Sequence, residues 1–139
     1  MARDTPYRME RVSRRKAMTW VYDVRKRTFT HNGKLEFTAR YAGAIGYKND
    51  PQFESLQDKG PLPRGRYKIV GVPFTHRRAG RYTLRLSQYP SNNMFGRDGF
   101  LIHGDSIQHP GTASNGCIVL DPRFRHRIYE SNDKELIVK

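Results

Sequence analysis

From Met18 onward apolar side chains recur at every second position in several short stretches, and a period of two is the period of a β-strand. Met18, Trp20, Tyr22 and Val24 fall on one face, with Thr19 and Asp23 on the other and Val21 the exception. Leu35, Phe37, Ala39 and Tyr41 repeat the pattern, as do Tyr67 and Ile69. Tyr82, Leu84 and Leu86 repeat it again, opposed by Arg81, Thr83, Arg85 and Ser87 on a face that reads as wet and basic. Between the first two stretches stands Asn32-Gly33, the pair that best tolerates the two positive φ angles of a two-residue hairpin turn. Phe100 to His103 and Cys117 to Leu120 read as further short strands and Glu135 to Lys139 as a last one. Asp121-Pro122 can cap and start a short helix with Phe124 and Ile128 on one face and Asn132 near its end. The expected fold is mainly β, a sandwich or barrel of about seven short strands with one short helix.

A chain of 139 residues has room for one modest core and no second folded unit of ordinary size. With 36% apolar and 12% aromatic residues it can build that core, which excludes wholesale disorder. Met1 to Lys16 carries six basic residues, two acids and no apolar period, so the chain divides into a basic arm over 1–17 and a domain over 18–139. The longest apolar runs, such as Cys117 to Leu120, have four members, far short of the roughly 18 a spanning helix needs. No hydrophobic segment follows the basic start, so a Sec-type signal peptide is not expected. Gly43 to Gly65, rich in Gly, Asn, Pro and Asp, reads as a long loop over one end of the sheet, where function concentrates.

Cys117 is the sole cysteine, so no intramolecular disulfide or thiolate metal cage can form, and the thiol is either packed filler or a working group. Chemistry is expected where Phe100-Leu101-Ile102-His103-Gly104-Asp105 and Ser114-Asn115-Gly116-Cys117-Ile118-Val119-Leu120 place polar residues at the ends of apolar strands. A loop of about a dozen residues can bring His103 and Cys117 together. An imidazole beside a thiol can take its proton and create the nucleophilic thiolate. Gly116, lacking Cβ, lets the chain turn so that the N–H groups of Asn115, Gly116 and Cys117 can face a developing oxyanion. The second nitrogen of His103 needs an acceptor, either a backbone carbonyl near Gly104 or the Asp105 carboxylate. His31, His76, His109 and His126 read as surface residues, and a zinc set of His103, Asp105 and His109 is chemically possible but commonplace in spacing.

At these residues the sequence resembles the L,D-transpeptidase catalytic domain of the YkuD type, whose signature is His-Gly followed after a loop by Ser/Thr-His-Gly-Cys and an apolar residue. Here it becomes His103-Gly104 and Ser114-Asn115-Gly116-Cys117-Ile118. Gly60-Pro61-Leu62-Pro63-Arg64-Gly65-Arg66-Tyr67 resembles the family's Pro-x-Gly-x-Tyr/Phe segment, and Tyr41-Ala42-Gly43 the strand end before its substrate loop, so the resemblance extends over roughly Met18 to Val138. Asn115 stands where many members carry a second His, the loop between His103 and Cys117 is short, and Val119 replaces a frequent Arg. The chain is most similar to the small L,D-transpeptidase effectors injected by type VI secretion systems into the periplasm of rival bacteria. The resemblance implies Cys117 as nucleophile, His103 as general base and acid, support from Ser114, Asn115, Gly116, Gly104 and Asp105, and substrate contacts from Tyr41, Arg64 and Arg66. It implies peptidoglycan stem peptides as substrate, cleaved between meso-diaminopimelate and D-Ala. It also implies an immunity protein and the secretion machinery as partners, no metal or organic cofactor, and action in the periplasm after export from a bacterial cytoplasm.

The formal net charge of +13 suits a polyanionic substrate such as the cell wall, with Arg40, Lys48, Arg64, Arg66 and Arg85 as candidates to flank a groove. The same charge also suits a β-domain that binds single-stranded nucleic acid without catalysis, through Tyr82, Arg85 and Tyr89. A cell-wall-binding domain without catalysis is the third reading. The nucleic-acid reading gives no reason for His-Gly and Ser-Asn-Gly-Cys to sit on successive strands, and thiol reactivity separates the enzyme from a wall-binding domain on the same fold.

Overall fold

In the computed structural model, which describes residues 19–139, strand β1 (Trp20–Asp23) buries Trp20 and Tyr22 and leaves Val21 and Asp23 half-covered, as the alternation requires. The arm over residues 1–17 and the strand position given to Met18 lie outside the described residues. β2 (Thr28–His31) and β3 (Lys34–Thr38) form a hairpin with His31 opposite Lys34, and Asn32 and Gly33 take φ of 56° and 70°. The register slips inside this hairpin: Phe29 faces Phe37 but Thr30 faces Leu35. Glu36 is thus the extra residue of a bulge, and Leu35, expected on the buried face, is 59% exposed.

The run read as one strand from Leu35 to Tyr41 is two. β4 (Tyr41–Ala42) pairs with β8 (Ile118–Val119), and β3 pairs with β2. Among the described residues there are nine strands in one sheet, ordered β3-β2-β1-β9-β5-β6-β7-β8-β4, so β3 and β4 are its opposite edges. Only Ala39 and Arg40 separate them. The sheet must therefore curl until its edges are neighbours, giving a folded-over, sandwich-like sheet whose edges do not pair into a closed barrel. One core cluster draws from both halves, including Tyr22, Phe29, Tyr67, Leu84, Ile102, Ile118 and Leu136. Within it the fully buried Tyr22 hydroxyl has no hydrogen-bond partner among the described residues.

β5 (Gly65–His76) and β6 (Gly80–Gln88) form a long hairpin whose register shifts between Val70 and Phe74 and again before His76. Tyr82 adopts a positive φ of 52°, and Thr83, expected on the wet face, is fully buried with its hydroxyl donating to the Gly80 carbonyl at 2.9 Å. β9 (Glu135–Val138) enters between β1 and β5, parallel to the first. β7 (Leu101–His103) and β8 are also parallel, with Ile102 beside Ile118 and His103 beside Val119. A parallel pair needs a crossover, here the loop from Gly104 to Cys117.

Helix α1 (Pro122–Glu130) starts at Pro122 after Asp121, but the Asp121 side chain does not cap it; it accepts a bond from Arg40 Nε at 2.5 Å instead. Ile128 is buried and Phe124 stacks on Phe37 of β3 with ring centroids 4.4 Å apart, while the helix packs against β6 and β7.

Candidate active site

The parallel β7–β8 pair sets the geometry. Cys117 is level with Leu101, whose N–H donates to the Cys117 sulfur at 3.3 Å, and His103 lies two residues farther along β7 on the same face. Cys117 and His103 line one cleft of about 220 Å³, together with His76, Arg78 and Asn115. A second cleft of about 110 Å³ reaches Cys117 from the other side and is lined by Asp58, Arg97, Asp98 and Phe100. Cys117 is a half-buried residue and lines both clefts.

Of the two acceptors open for His103, the backbone carbonyl is the one used: Nδ1 lies 2.7 Å from the Gly104 oxygen. A carbonyl can only accept, so Nδ1 carries the proton and Nε2 presents its lone pair. The ring is 3% exposed. Burial lowers the His103 pKa below its ordinary 6.5, the Gly104 bond opposes this, and the charges of Arg125 and His76 add to the fall. Burial also pushes the Cys117 thiol up to about 11 against the pull of the Leu101 N–H and the Arg97 charge. Both shifts favour a neutral thiol and a neutral imidazole at rest.

Asp105 has a different role from the one expected. Its carboxylate accepts from the Tyr41 hydroxyl at 2.6 Å, from Ser106 N at 2.8 Å and from Gly111 N at 3.1 Å. Burial works against its ionisation, but these bonds outweigh it and hold the acid below its ordinary value. Tyr41 in turn accepts from Ala113 N at 2.9 Å, and burial plus the Asp105 contact raise its hydroxyl to about 12. Tyr41 and Asp105 thus brace the crossover loop and are not among the residues lining either cleft.

Ser114 fastens the loop where it meets β8. Its hydroxyl donates to the Cys117 carbonyl at 2.7 Å and accepts from Gly116 N at 2.9 Å and Gly43 N at 3.0 Å. The Gly116 N–H is therefore committed, and from the expected oxyanion trio the N–H groups of Asn115 and Cys117 remain as candidates. Gly116 has φ of 150°, and a Cβ there would lie 2.7 Å from Arg97 Nη2 and 2.9 Å from Phe100 Cε1. Only glycine fits this turn.

None of the basic residues expected along the groove lines either cleft. Arg64 forms a fork with Glu54 at 2.8 Å and 3.0 Å. Arg66 pairs with Glu135 and lies over Tyr89, Arg40 pairs with Asp121, Lys48 lies over the Tyr41 ring, and Arg85 over Phe74. The rings offered for nucleic-acid stacking are likewise engaged: Tyr82 stacks on His126 at 3.6 Å, and the Tyr89 hydroxyl donates to Glu135. His31 is not a free surface group, since it stacks on Trp20 and lies 2.8 Å from Asp133. The zinc set is not assembled, for Asp105 is committed to its loop and the described residues contain no cluster of three or more His, Cys, Asp or Glu arranged to hold a metal.

Two buried arginines went unforeseen. Arg97, 3% exposed, donates from Nη1 to the carbonyls of Glu54 at 2.6 Å and Pro61 at 3.0 Å, and from Nη2 to those of Gly60 at 2.9 Å and Asn115 at 3.1 Å. It joins the long loop over residues 43–64 to the turn carrying Cys117. Arg125 on α1 reaches the carbonyls of Leu120 and Tyr82 and lies against Gly104. Neither has a sequence signal: Arg97 stands in a polar Gly/Asp/Asn stretch that reads as exposed, and Arg125 among the solvent-facing basic residues of a helix.

The sequence profile of the Tlde1 domain matches residues 35–137. The chain belongs to this family of type VI secretion effectors. No match was found among curated proteins. Among solved structures it is similar to an L,D-transpeptidase from Mycobacterium smegmatis, at 18% identity and TM-score 0.52 over 87% of this chain and 58% of that one. It is similar also to L,D-transpeptidase 1 of Mycobacterium tuberculosis, at 17% and 0.51 over 86% and 60%. An L,D-transpeptidase from Stackebrandtia nassauensis matches at 21% and 0.50 over 87% and 54%. The chain thus spans less than two thirds of the length of these proteins and shares their fold. The chain is thus a Tlde1-family domain with the L,D-transpeptidase fold.

Proposed function

We propose that residues 18–139 form a cysteine enzyme that cleaves the bond between meso-diaminopimelate and D-Ala in tetrapeptide stems of peptidoglycan, acting as L,D-carboxypeptidase, as exchange enzyme for D-amino acids, or as both. The observation that carries this reading is that Cys117 and His103, on adjacent parallel strands, line one cleft, with the imidazole tautomer set by Gly104. Nε2 of His103 takes the thiol proton as the sulfur attacks the carbonyl carbon of the L-centre. The tetrahedral oxyanion faces the N–H groups of Asn115 and Cys117, and collapse expels the D-Ala nitrogen, which leaves as an amine with the proton held by His103. The thioester on Cys117 then passes its acyl group to water, giving the trimmed tripeptide, or to the amine of a D-amino acid, giving exchange. Either outcome removes tetrapeptide donors from crosslinking, a toxic result that fits delivery by type VI secretion into a rival's periplasm and a cognate immunity protein in the producer.

Mass spectrometry of disaccharide tetrapeptide incubated with the wild type and with Cys117→Ala, with and without D-Met, tests this. Loss of D-Ala, or its replacement by D-Met, is expected in the wild type alone. Unchanged muropeptide with folded wild-type protein would return the domain to binding without catalysis.

A further inference from the structure

The tip of the β5–β6 hairpin does more than connect two strands. His76, Arg78 and Ala79 line the cleft that also holds His103 and Cys117, so a distant part of the sequence places a basic residue at the rim of this cleft. The tip is held in one conformation by His76, whose Nδ1 accepts from the N–H groups of Arg78 and Ala79 at 3.0 Å each. With Nδ1 doubly engaged as acceptor, the neutral ring carries its proton on Nε2. The cleft lining includes Arg78, His76 and His103 but no Asp or Glu, and among the described residues no carboxylate pairs with Arg78. The cleft on the other side of Cys117 has the opposite character, because Asp58 and Asp98 line it and its one cation, Arg97, is committed to four carbonyls. An anion entering beside Cys117 is therefore favoured on the hairpin side alone.

The proposed chemistry needs such a place. His103 must be next to the nitrogen of the departing residue to protonate it, and that nitrogen is separated from the residue's free carboxylate by a single Cα. The amine of an incoming amino acid occupies the same position in exchange, with its carboxylate placed alike. Resting on the reading of Cys117 as the acylated nucleophile, we infer that the β5–β6 hairpin tip is the subsite for the free α-carboxylate of the leaving and incoming amino acid, with Arg78 as its cationic anchor. The subsite restricts the enzyme to stems whose last residue ends in a carboxylate. It also accounts for how a small, open site selects an amino acid over water's other competitors.

Binding and turnover test it separately. In the first arm, isotope-labelled Cys117→Ala is titrated with D-Met and with D-methioninamide while backbone amide signals are followed by NMR. D-Met is expected to shift Arg78 and Ala79 and to bind about tenfold tighter than the amide at low salt, and Arg78→Gln in the same background is expected to remove that preference. Equal binding of the two ligands, or an undiminished preference in Arg78→Gln, overturns the subsite. In the second arm, Arg78→Gln in the active protein is expected to raise the KM for D-Met in exchange about tenfold. Turnover without a carboxylate preference in the first arm sinks the subsite and leaves the enzyme reading standing. The preference without any Cys117-dependent turnover leaves a carboxylate-binding tip but overturns both the enzyme reading and the tip's assignment to a leaving or incoming residue.

Discussion

The Leu101 N–H donates to the Cys117 sulfur at 3.3 Å across the parallel β7–β8 pair. A ladder position that would ordinarily serve a carbonyl thus serves the sulfur, and together with the Arg97 charge it favours the thiolate. The bond does not outweigh burial, which leaves the thiol near 11. His103 is displaced the other way, so both shifts favour an uncharged pair, and in the proposed mechanism the proton moves as the sulfur attacks. This differs from the ion-pair resting state of many cysteine enzymes, where the imidazolium holds the thiolate ready.

Alkylation of Cys117 by iodoacetamide reports this directly. The rate should be slow at neutral pH and rise through a single inflection near 11, because only the thiolate reacts and the neutral form persists until then. An inflection below the ordinary thiol value of 9.0 would mean that a cation, not the Leu101 amide, governs the sulfur.

The pH dependence of kcat/KM follows from the same two shifts. As the proposed base His103 must be neutral, and burial puts the midpoint of its protonation below the ordinary value of 6.5. The acid limb of the profile is therefore expected below 6.5, with a plateau extending well into alkaline pH. A narrow bell centred near neutrality would contradict the neutral pair.

Much of this site was legible in the sequence, and the reason is local. The strand alternation, the Asn32-Gly33 turn and the His103/Cys117 spacing are short-range features, and each specifies backbone whose outcome its neighbours cannot easily change. The failures lie where tertiary structure intervenes. Leu35 turned outward because of a bulge at Glu36, and Thr83 turned inward because Tyr82 takes a positive φ; neither leaves a mark on the period-two pattern. Tyr41 and Asp105 stand near the site in sequence and by resemblance, but period and spacing do not reveal that they bind each other and brace the crossover loop. Arg97 and Arg78 were missed for the converse reason, since an arginine in a polar loop looks the same whether it meets solvent, four carbonyls or a cleft.

Arg97 offers a test of how the long loop is attached. Arg97→Met keeps the aliphatic stem but strips the buried carbonyls of Gly60 and Pro61 and the partly buried ones of Glu54 and Asn115 of their donor, and each buried loss costs about 1 kcal/mol or more. The sum expected from urea unfolding is about 3 to 5 kcal/mol, in the range of other broken buried networks. A loss under about 1 kcal/mol would mean that water takes over the carbonyls and that the loop is held by other contacts.

Two glycines at positive φ separate strain from site geometry. At Gly33 an added methyl group meets nothing within 4 Å, so Gly33→Ala incurs only the backbone conformation, about 1 kcal/mol, and should leave turnover per folded molecule intact. At Gly116 the methyl group would stand 2.7 Å from Arg97 Nη2, 2.9 Å from Phe100 Cε1 and 3.1 Å from the Gly60 carbonyl. The guanidinium cannot swing away without abandoning its carbonyls, so the turn from Asn115 to Cys117 must shift instead. Gly116→Ala is therefore expected to lose about 2 kcal/mol or more of stability and, at temperatures where it remains folded, at least about tenfold in kcat, because both the sulfur and the candidate oxyanion donors move with that turn. Circular dichroism melts set beside muropeptide turnover check both variants. Equal losses of activity in the two would show that the turn beside Cys117 tolerates displacement and that its geometry does not set the rate.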